Sequence, residues 1–468
     1  RCRLGIGRAD ITPPADAYHR NWGAALHDAA EGIHRPLLAT VLVFVDDDTG
    51  ARTRSLFTVD LGWLRRREMA QLLDRLCAGT GLDEDHLVLT FSHTHAAINL
   101  DLQRTSEPGG QHIEPYLATL PERLLEAYAS AIEHVVPVDL AFGYGRCDLA
   151  LNRDAHDDDR GIFVCGPNPG GASDDTVTVM RATDNTGRSI AHLVNYACHP
   201  TTLAWDNRLI SPDYVGAMRQ VIENATQSLC AFVQGAAGDL GPVHGFVGDT
   251  ATAERNGRQL GYAALAAIEA LPTAGRQWSY RGPVVSGATI GAWHWTTLDT
   301  VRQAAVRAFD SRRITIQLEH RQLPSRDELE TGIAEWTAQQ ALAESGNDTD
   351  GVRNARARIE RLRRLQRLSE AAPATGSVDY DIHLWRLGEG ILVLVGGEPY
   401  QQLQVNLRQR FPDTSLVVVE LCNQPHSYLL PRDRYGQGLY QEEVCVLAAG
   451  CLEAVEQAVV DALTTWNT

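Results

Sequence analysis

Asp85-His-Leu-Val-Leu-Thr-Phe-Ser92-His93-Thr-His95 decides how this chain is read. Its apolar run reads as a buried strand, and it delivers two imidazoles where a sheet ends. In an extended segment residues i and i+2 point to the same side. His93 and His95 can therefore reach one site, as two metal ligands or as a ligand and its hydrogen-bonding partner. Histidines at this spacing also occur as satisfied core or surface residues, so the remaining histidines have to decide.

Val194-Asn-Tyr-Ala-Cys-His199-Pro200 repeats the shape: an apolar strand ends in a histidine, and proline stops the ladder and holds it extended. Ile391-Leu-Val-Leu-Val-Gly-Gly-Glu398-Pro399 adds a carboxylate after a glycine pair. Three strand ends then converge on one metal, with Glu398 as the anionic oxygen ligand. Cys198, next to His199, points to the opposite sheet face and reads as a buried thiol.

Composition fits an enzyme with a substantial core. The chain has 468 residues and a net charge of −17, which excludes nucleic acid as a partner, because phosphate binding needs a basic surface. No apolar stretch reaches the ~18–20 residues of a bilayer span, so no stable membrane insertion is expected. Nine cysteines without a C-x-x-C pair favour reduced thiols. A cytoplasmic location is favoured, with a secreted or periplasmic chain whose leader was removed as the alternative. There is no lysine, so Schiff-base chemistry and a P-loop are impossible. Gly5-Ile-Gly7 lacks the full dinucleotide fingerprint.

Strands at Leu37 to Val45 and Ser55 to Val59 alternate with helices at Arg66 to Cys77 and Pro115 to His134, which predicts a layered α/β core. Asn152 to Asp175 reads as a long surface loop or lid, and Asp213 caps a helix from Tyr214 to Glu223. After a strand at Leu229 to Gln234, the turn Gly235-Ala-Ala-Gly-Asp239-Leu-Gly-Pro242 lets backbone approach closely. Residues 326–370 read as two helices broken at 344–351. The second is rich in arginine and is expected to be a solvated arm, free to contact another subunit of a homo-oligomer. Strands at Ile382 to Trp385, Ile391 to Val395 and Ser415 to Glu420 precede an amphipathic helix, Glu442 to Leu463.

With these residues assembled, the chain resembles the neutral, non-lysosomal ceramidase family of zinc amidases. The resemblance runs through Gly5-Ile-Gly-Arg-Ala-Asp-Ile-Thr12-Pro13, Gly32-Ile-His-Arg-Pro-Leu37, Thr90-Phe-Ser-His93-Thr-His95, Leu151-Asn-Arg153 and Cys198-His199-Pro. It continues in Leu209-Ile-Ser-Pro-Asp213, Gly238-Asp239, Gly397-Glu398, Ser427-Tyr428 and Tyr440. It implies an α/β fold: one layered mixed-sheet catalytic domain over 1–468, with a helical-hairpin insertion at 326–370. It also implies zinc held by His93, His199, Glu398 and Tyr428. His95 would orient or deprotonate the zinc-bound water, and Arg153 and Tyr440 would hold the scissile carbonyl or a neighbouring polar group.

Two departures from the family matter. Ceramidases carry a nucleophilic serine after the Gly-Asp of the turn, where this chain has Gly241. The carboxyl-terminal β-sandwich that ceramidases append is expected to be absent. Zinc-bound hydroxide needs no protein nucleophile and would attack directly, with Asp239 or His95 as general base. Polar residues near the site, Asn99, Asp101, Gln103, Arg104 and Asp206, favour a small soluble substrate over a lipid. The leading expectation is therefore a zinc-dependent hydrolase of a carbon–nitrogen bond in a small soluble amide. The alternatives are an esterase or lactonase, a true N-acyl amidase of the ceramidase type, and a zinc-binding pseudoenzyme. His244 and His426 are candidate substrate contacts. His192, His294, His320 and His383 are expected in the core or on the surface, and Trp293 and Trp295 in the core.

Overall fold

The alternation of strands and helices folds into four layers in a computed structural model that describes residues 1–47, 52–370 and 376–466. An eight-stranded sheet runs in the order Leu229–Gln234, Ser189–Tyr196, Thr176–Thr183, Val136–Arg146, Cys2–Asp10, Leu38–Val45, Thr53–Val59, Leu87–Phe91. Its edge pairs are parallel and those between them antiparallel, so it is a mixed sheet. A second sheet of four strands, Phe309–Glu319, Ser377–Leu387, Gly390–Val395 and Ser415–Val419, packs face to face on the first. Leu4, Leu42, Met180 and Leu193 meet Trp385, Leu392 and Val417 there.

Helices cover both outer faces. Arg66–Thr80, Ile113–Glu133, Tyr214–Thr226 and Thr250–Glu269 lie on the large sheet, and Gln402–Arg410 and Cys451–Trp466 on the small one. Central strands are thus buried on both sides, which is why they read as continuous apolar runs. In Leu87–Phe91 the residues Leu87, Leu89 and Phe91 face the helices and Val88 the second sheet. The Thr90 hydroxyl donates to the Glu420 carbonyl at 2.8 Å, so the strand's one polar side chain is satisfied.

Gly5 and Gly7, set aside above as an incomplete fingerprint, have a packing role. A Cβ at Gly5 would lie 1.9 Å from the Ala131 carbonyl oxygen, and one at Gly7 2.1 Å from that of Ala127. The helix Ile113–Glu133 therefore rests directly on strand backbone.

Four expectations need correction. The expected loop from Asn152 to Asp175 contains a strand pair, Asp154–Asp157 with Ile162–Cys165, whose short turn carries the acidic cluster. The carboxyl-terminal helix is split into Tyr440–Glu443 and Cys451–Trp466, separated by Gly450 at φ 105°. Trp293 and Trp295 are not core residues. They lie on a free two-stranded ribbon, Arg276–Ser286 with Ala288–Thr297, paired across it with Tyr280 and Trp278 and left 48% and 41% exposed.

The fourth correction concerns the helical insertion. It breaks where expected, into Arg326–Ser345 and Thr349–Glu370. Only the first helix is a solvated arm. The arginine-rich second helix lies against the body of the protein, where Arg353 meets Asp206, Arg356 meets Asp28 and Arg367 meets Asp101, while Glu360 meets Arg104. Its Ala357 sits so close to Gly23 that a Cβ there would lie 2.8 Å from the Ala357 Cα. Opposite charges gathered from distant segments, invisible in the local sequence, draw the helix in.

All nine cysteines are free, and Cys198 is buried as expected. Among the described residues no helix is long and apolar enough to cross a membrane. Overpacking a strand–helix contact costs about 1–3 kcal/mol, often more when backbone must move. Gly7→Val should therefore lower the urea midpoint of unfolding, whereas Gly161→Ala, where a Cβ meets nothing within 4 Å but φ is 63°, should cost less than Gly7→Val.

Candidate metal centre

His93 and His95 converge for a different reason from the one the pleat suggested. The strand ends at Phe91, and His93 adopts φ 68°, a left-handed conformation that histidine holds only when its surroundings fix it. Its amide donates to the Leu61 carbonyl at 3.0 Å, and its Nδ1 lies 2.8 Å from the Gly62 carbonyl. His199 likewise stands beyond its strand, which ends at Tyr196. Its amide donates to the Leu240 carbonyl, and its Nδ1 lies 2.7 Å from that of Ala237. Glu398 follows Gly397, at φ 71°, and pairs in a short parallel ladder directly with Tyr428. That register brings two of the expected ligands together.

The three side chains meet in the interior. His93 is 2% exposed, His199 0% and Glu398 4%. Glu398 Oε2 lies 3.3 Å from His93 Nε2 and 3.1 Å from His199 Nε2. One ring nitrogen each of His93, His95 and His199 fall within 4.8 Å of one another.

A carbonyl can only accept, so both Nδ1 atoms must donate, and neutral rings then turn Nε2 lone pairs toward the carboxylate. Three lone-pair atoms facing one another need a cation between them or protons upon them. Burial, followed by the Arg153 charge, pushes His199 down to about 3, so at neutral pH it is not protonated. Burial opposes the charge on Glu398, yet the His93 and His199 rings hold its carboxyl well below the ordinary range. Two imidazoles oriented by backbone carbonyls, His199 among them held unprotonated, and an ionised carboxylate form a donor set suited to a metal ion.

The remaining expected residues surround this set. His95 has a buried Nε2 with no hydrogen-bond partner, and burial keeps the ring neutral. Arg153 Nη2 lies 3.2 Å from His199 Nε2 and 3.2 Å from the Tyr428 hydroxyl, and donates to the Gly238 carbonyl at 2.7 Å. Tyr428 is 3.4 Å from His199 Nε2, and burial, followed by the Glu398 charge, keeps its phenol protonated. Tyr440 stands 6.3 Å from Tyr428, ring to ring.

Asp239 is placed otherwise. Its carboxylate accepts from the Gln401 amide at 2.8 Å, from Gln401 Nε2 at 2.7 Å and from Asn152 Nδ2 at 3.1 Å, so it is engaged in holding the turn. Gly241 has room for a side chain, since an added Cβ would come no closer than 3.6 Å, to Arg153 Cδ. His244 is exposed, and His426 is buried against Tyr380. Asp101, Arg104 and Asp206 are occupied by ion pairs with the insertion helix.

Two features escaped sequence reading. Trp22 and Trp63 stand 5.3 and 5.5 Å from the His95 ring, with Trp205 and Phe246 packed on Trp22. Arg364 of the insertion helix reaches the site, where its Nη1 donates to the Tyr440 hydroxyl at 3.2 Å and its Nη2 lies 3.9 Å from Glu398 Oε1. The sequence holds no local signal for either, because the rings come from separate loops and the arginine from an insertion.

Four layers with a buried histidine–carboxylate centre beyond the strand ends define an α/β protein with a candidate metal centre. Residues 2–255, more than half the chain, match the family described as neutral/alkaline non-lysosomal ceramidase, N-terminal. The chain belongs to that family. It is 26% identical over 251 residues to neutral ceramidase of Pseudomonas aeruginosa, a match covering 51% of this chain and 37% of that protein's length. The solved structure of neutral ceramidase from Pseudomonas aeruginosa superposes with a TM-score of 0.65 at 19% identity, over 98% of this chain and 73% of that one. A ceramidase complexed with C2 gives a TM-score of 0.65 at 18% identity, over 98% and 74%. The shared fold thus extends past the family match into the half that carries Glu398, Tyr428 and Tyr440.

An ion bound only by the folded state stabilises it by about 2.7 kcal/mol at a hundredfold excess over its Kd. Adding a divalent transition metal to chelator-stripped protein should raise the melting temperature, and the shift should vanish in His199→Ala and in Glu398→Ala.

Proposed function

We propose that the chain is a zinc-dependent hydrolase that cleaves the carbon–nitrogen bond of a small, water-soluble amide without a serine nucleophile. The observation that carries this reading is the convergence of His93, His199 and Glu398 on one buried point, beside Arg153 and the partnerless Nε2 of His95. Membership of a ceramidase family supports it. A bound zinc ion supplies Lewis acidity, polarising a carbonyl and making water acidic near neutral pH.

The residues of the chain then divide the work. His93, His199 and Glu398 would hold the ion together with Tyr428, whose phenol a bound cation would make more acidic. His95 Nε2 takes a proton from the attacking water as a new C–O bond forms. Arg153 Nη2 and the Tyr440 hydroxyl donate to the carbonyl oxygen as it gains charge. His95 returns the proton to the leaving nitrogen as the C–N bond breaks.

Asp239 serves this arrangement indirectly. Its backbone carbonyl accepts from the Arg153 amide at 2.9 Å and its carboxylate fixes Gln401, so of the two candidate bases His95 is preferred. Gly241 offers no nucleophile, and water attacks directly. Ester or lactone cleavage uses the same groups and is tested with the same protein. We read the chain as one catalytic domain with its insertion.

Zinc removal should abolish amide hydrolysis and zinc addition restore it. His95→Gln should lower kcat by about 10²–10⁴-fold with zinc content unchanged. Undiminished turnover by protein shown to be metal-free would overturn the reading, and long-chain ceramide as the preferred substrate would overturn its small-substrate part.

A further inference from the structure

We propose that Arg364 is the anion-recognition residue of this site, and that the amide it serves carries a carboxylate next to the scissile bond and a planar, ring-like group. This rests on the hydrolase reading above and names its substrate class.

The first argument is the pairing of the insertion helix. Arg353, Arg356, Arg361 and Arg367 each reach a carboxylate: Asp206, Asp28, Glu443, and both Asp101 and Glu360. Arg364 does not. Glu398 Oε1 lies 3.9 Å away, too far for a hydrogen bond, and the hydrogen bond at 3.2 Å goes to a neutral phenol. A guanidinium has five donors in a planar fork that matches a carboxylate bidentately. This one lies 5.8 Å from the Trp63 ring centre and keeps 31% of its side chain exposed, so a ligand can reach it.

The second argument is charge. Arg153 and Arg364 flank the centre and Glu398 is the carboxylate that meets them there. A divalent cation would leave the site in positive excess even with Tyr428 ionised. An anionic substrate balances that excess, whereas a neutral one leaves it uncompensated in a partly buried place. Because Arg364 shares Tyr440 with the reaction centre, the carboxylate it binds must lie within a few bonds of the scissile carbon.

The third argument is the neighbouring wall. Trp22 and Trp63 face His95, Trp205 and Phe246 back Trp22, and these rings are only half-buried. The indole N–H of Trp22 is buried without an acceptor. Such a wall stacks a planar group and offers it one donor.

The test is calorimetric binding of N-acetyltryptophan and of its uncharged carboxamide, N-acetyltryptophanamide, to the wild-type chain, Arg364→Gln and Arg364→Lys, with zinc content measured on every sample. The carboxylate should bind wild type at least about tenfold more tightly than the carboxamide. Arg364→Gln should abolish that preference, and Arg364→Lys should keep part of it, with zinc content unaltered. Equal binding of the two probes by wild type, binding of neither, or a preference that survives Arg364→Gln would overturn the proposal. A carboxylate preference lost in Arg364→Gln by protein that holds no zinc would uphold the recognition site and sink the zinc hydrolase reading instead.

Discussion

Two imidazole nitrogens held 3.3 and 3.1 Å from one carboxylate oxygen, all three groups shut away from water, are the constraint around which this molecule is arranged. Left alone, such a cluster is unfavourable, because burial removes the solvent that would screen it. Each element around it lowers that cost or fixes its geometry. The Gly62 and Ala237 carbonyls set the tautomers of His93 and His199, and the Arg153 guanidinium offsets the Glu398 charge. His93 accepts a left-handed backbone so that its ring can reach the point.

The four-layer fold delivers these groups from both halves of the chain. Strands of the large sheet ending at Phe91 and Tyr196 lead into His93 and His199, and a strand of the small sheet ending at Val395 leads into Glu398. The halves are joined where the Gly238 amide donates to the Pro399 carbonyl at 2.9 Å, a contact so close that a Cβ at Gly238 would lie 2.7 Å from the Glu398 carbonyl oxygen. The turn over residues 235–242 is thus first of all a seam between sheets. Gly241, in the same turn, is by contrast roomy, since a Cβ there would come no closer than 3.6 Å to a neighbour.

The centre was more legible in the sequence than its surroundings were, for a physical reason. His93, His199 and Glu398 each follow an apolar run and each precede a conformational break, so their placement is written locally. What a run cannot show is the partner of a long-range contact. The arginine-rich helix looked like a solvated face because Asp28, Asp101, Asp206 and Glu443, which pair with it, are scattered through the chain. The wall of Trp22, Trp63, Trp205 and Phe246 was hidden in the same way, and Trp293 and Trp295 were misread because alternating aromatic residues suit a buried strand as well as a free ribbon. The H-x-H pair was singled out on a pleat argument that does not apply, since both histidines lie past the strand.

The insertion helix links the two ends of the account. It is held to the body of the protein by ion pairs and at the same time brings to the reacting groups a guanidinium whose contact with Glu398, at 3.9 Å, is too long for a hydrogen bond. The proposed function depends on a metal ion held by nitrogen and oxygen alone. The most direct measurement is X-ray absorption at the zinc edge on protein purified without added metal or chelator. The account predicts a nitrogen- and oxygen-ligated zinc with the outer-shell scattering of at least two imidazoles and no sulfur. Sulfur in the coordination shell, or a protein that takes up no zinc when it is supplied, would contradict it.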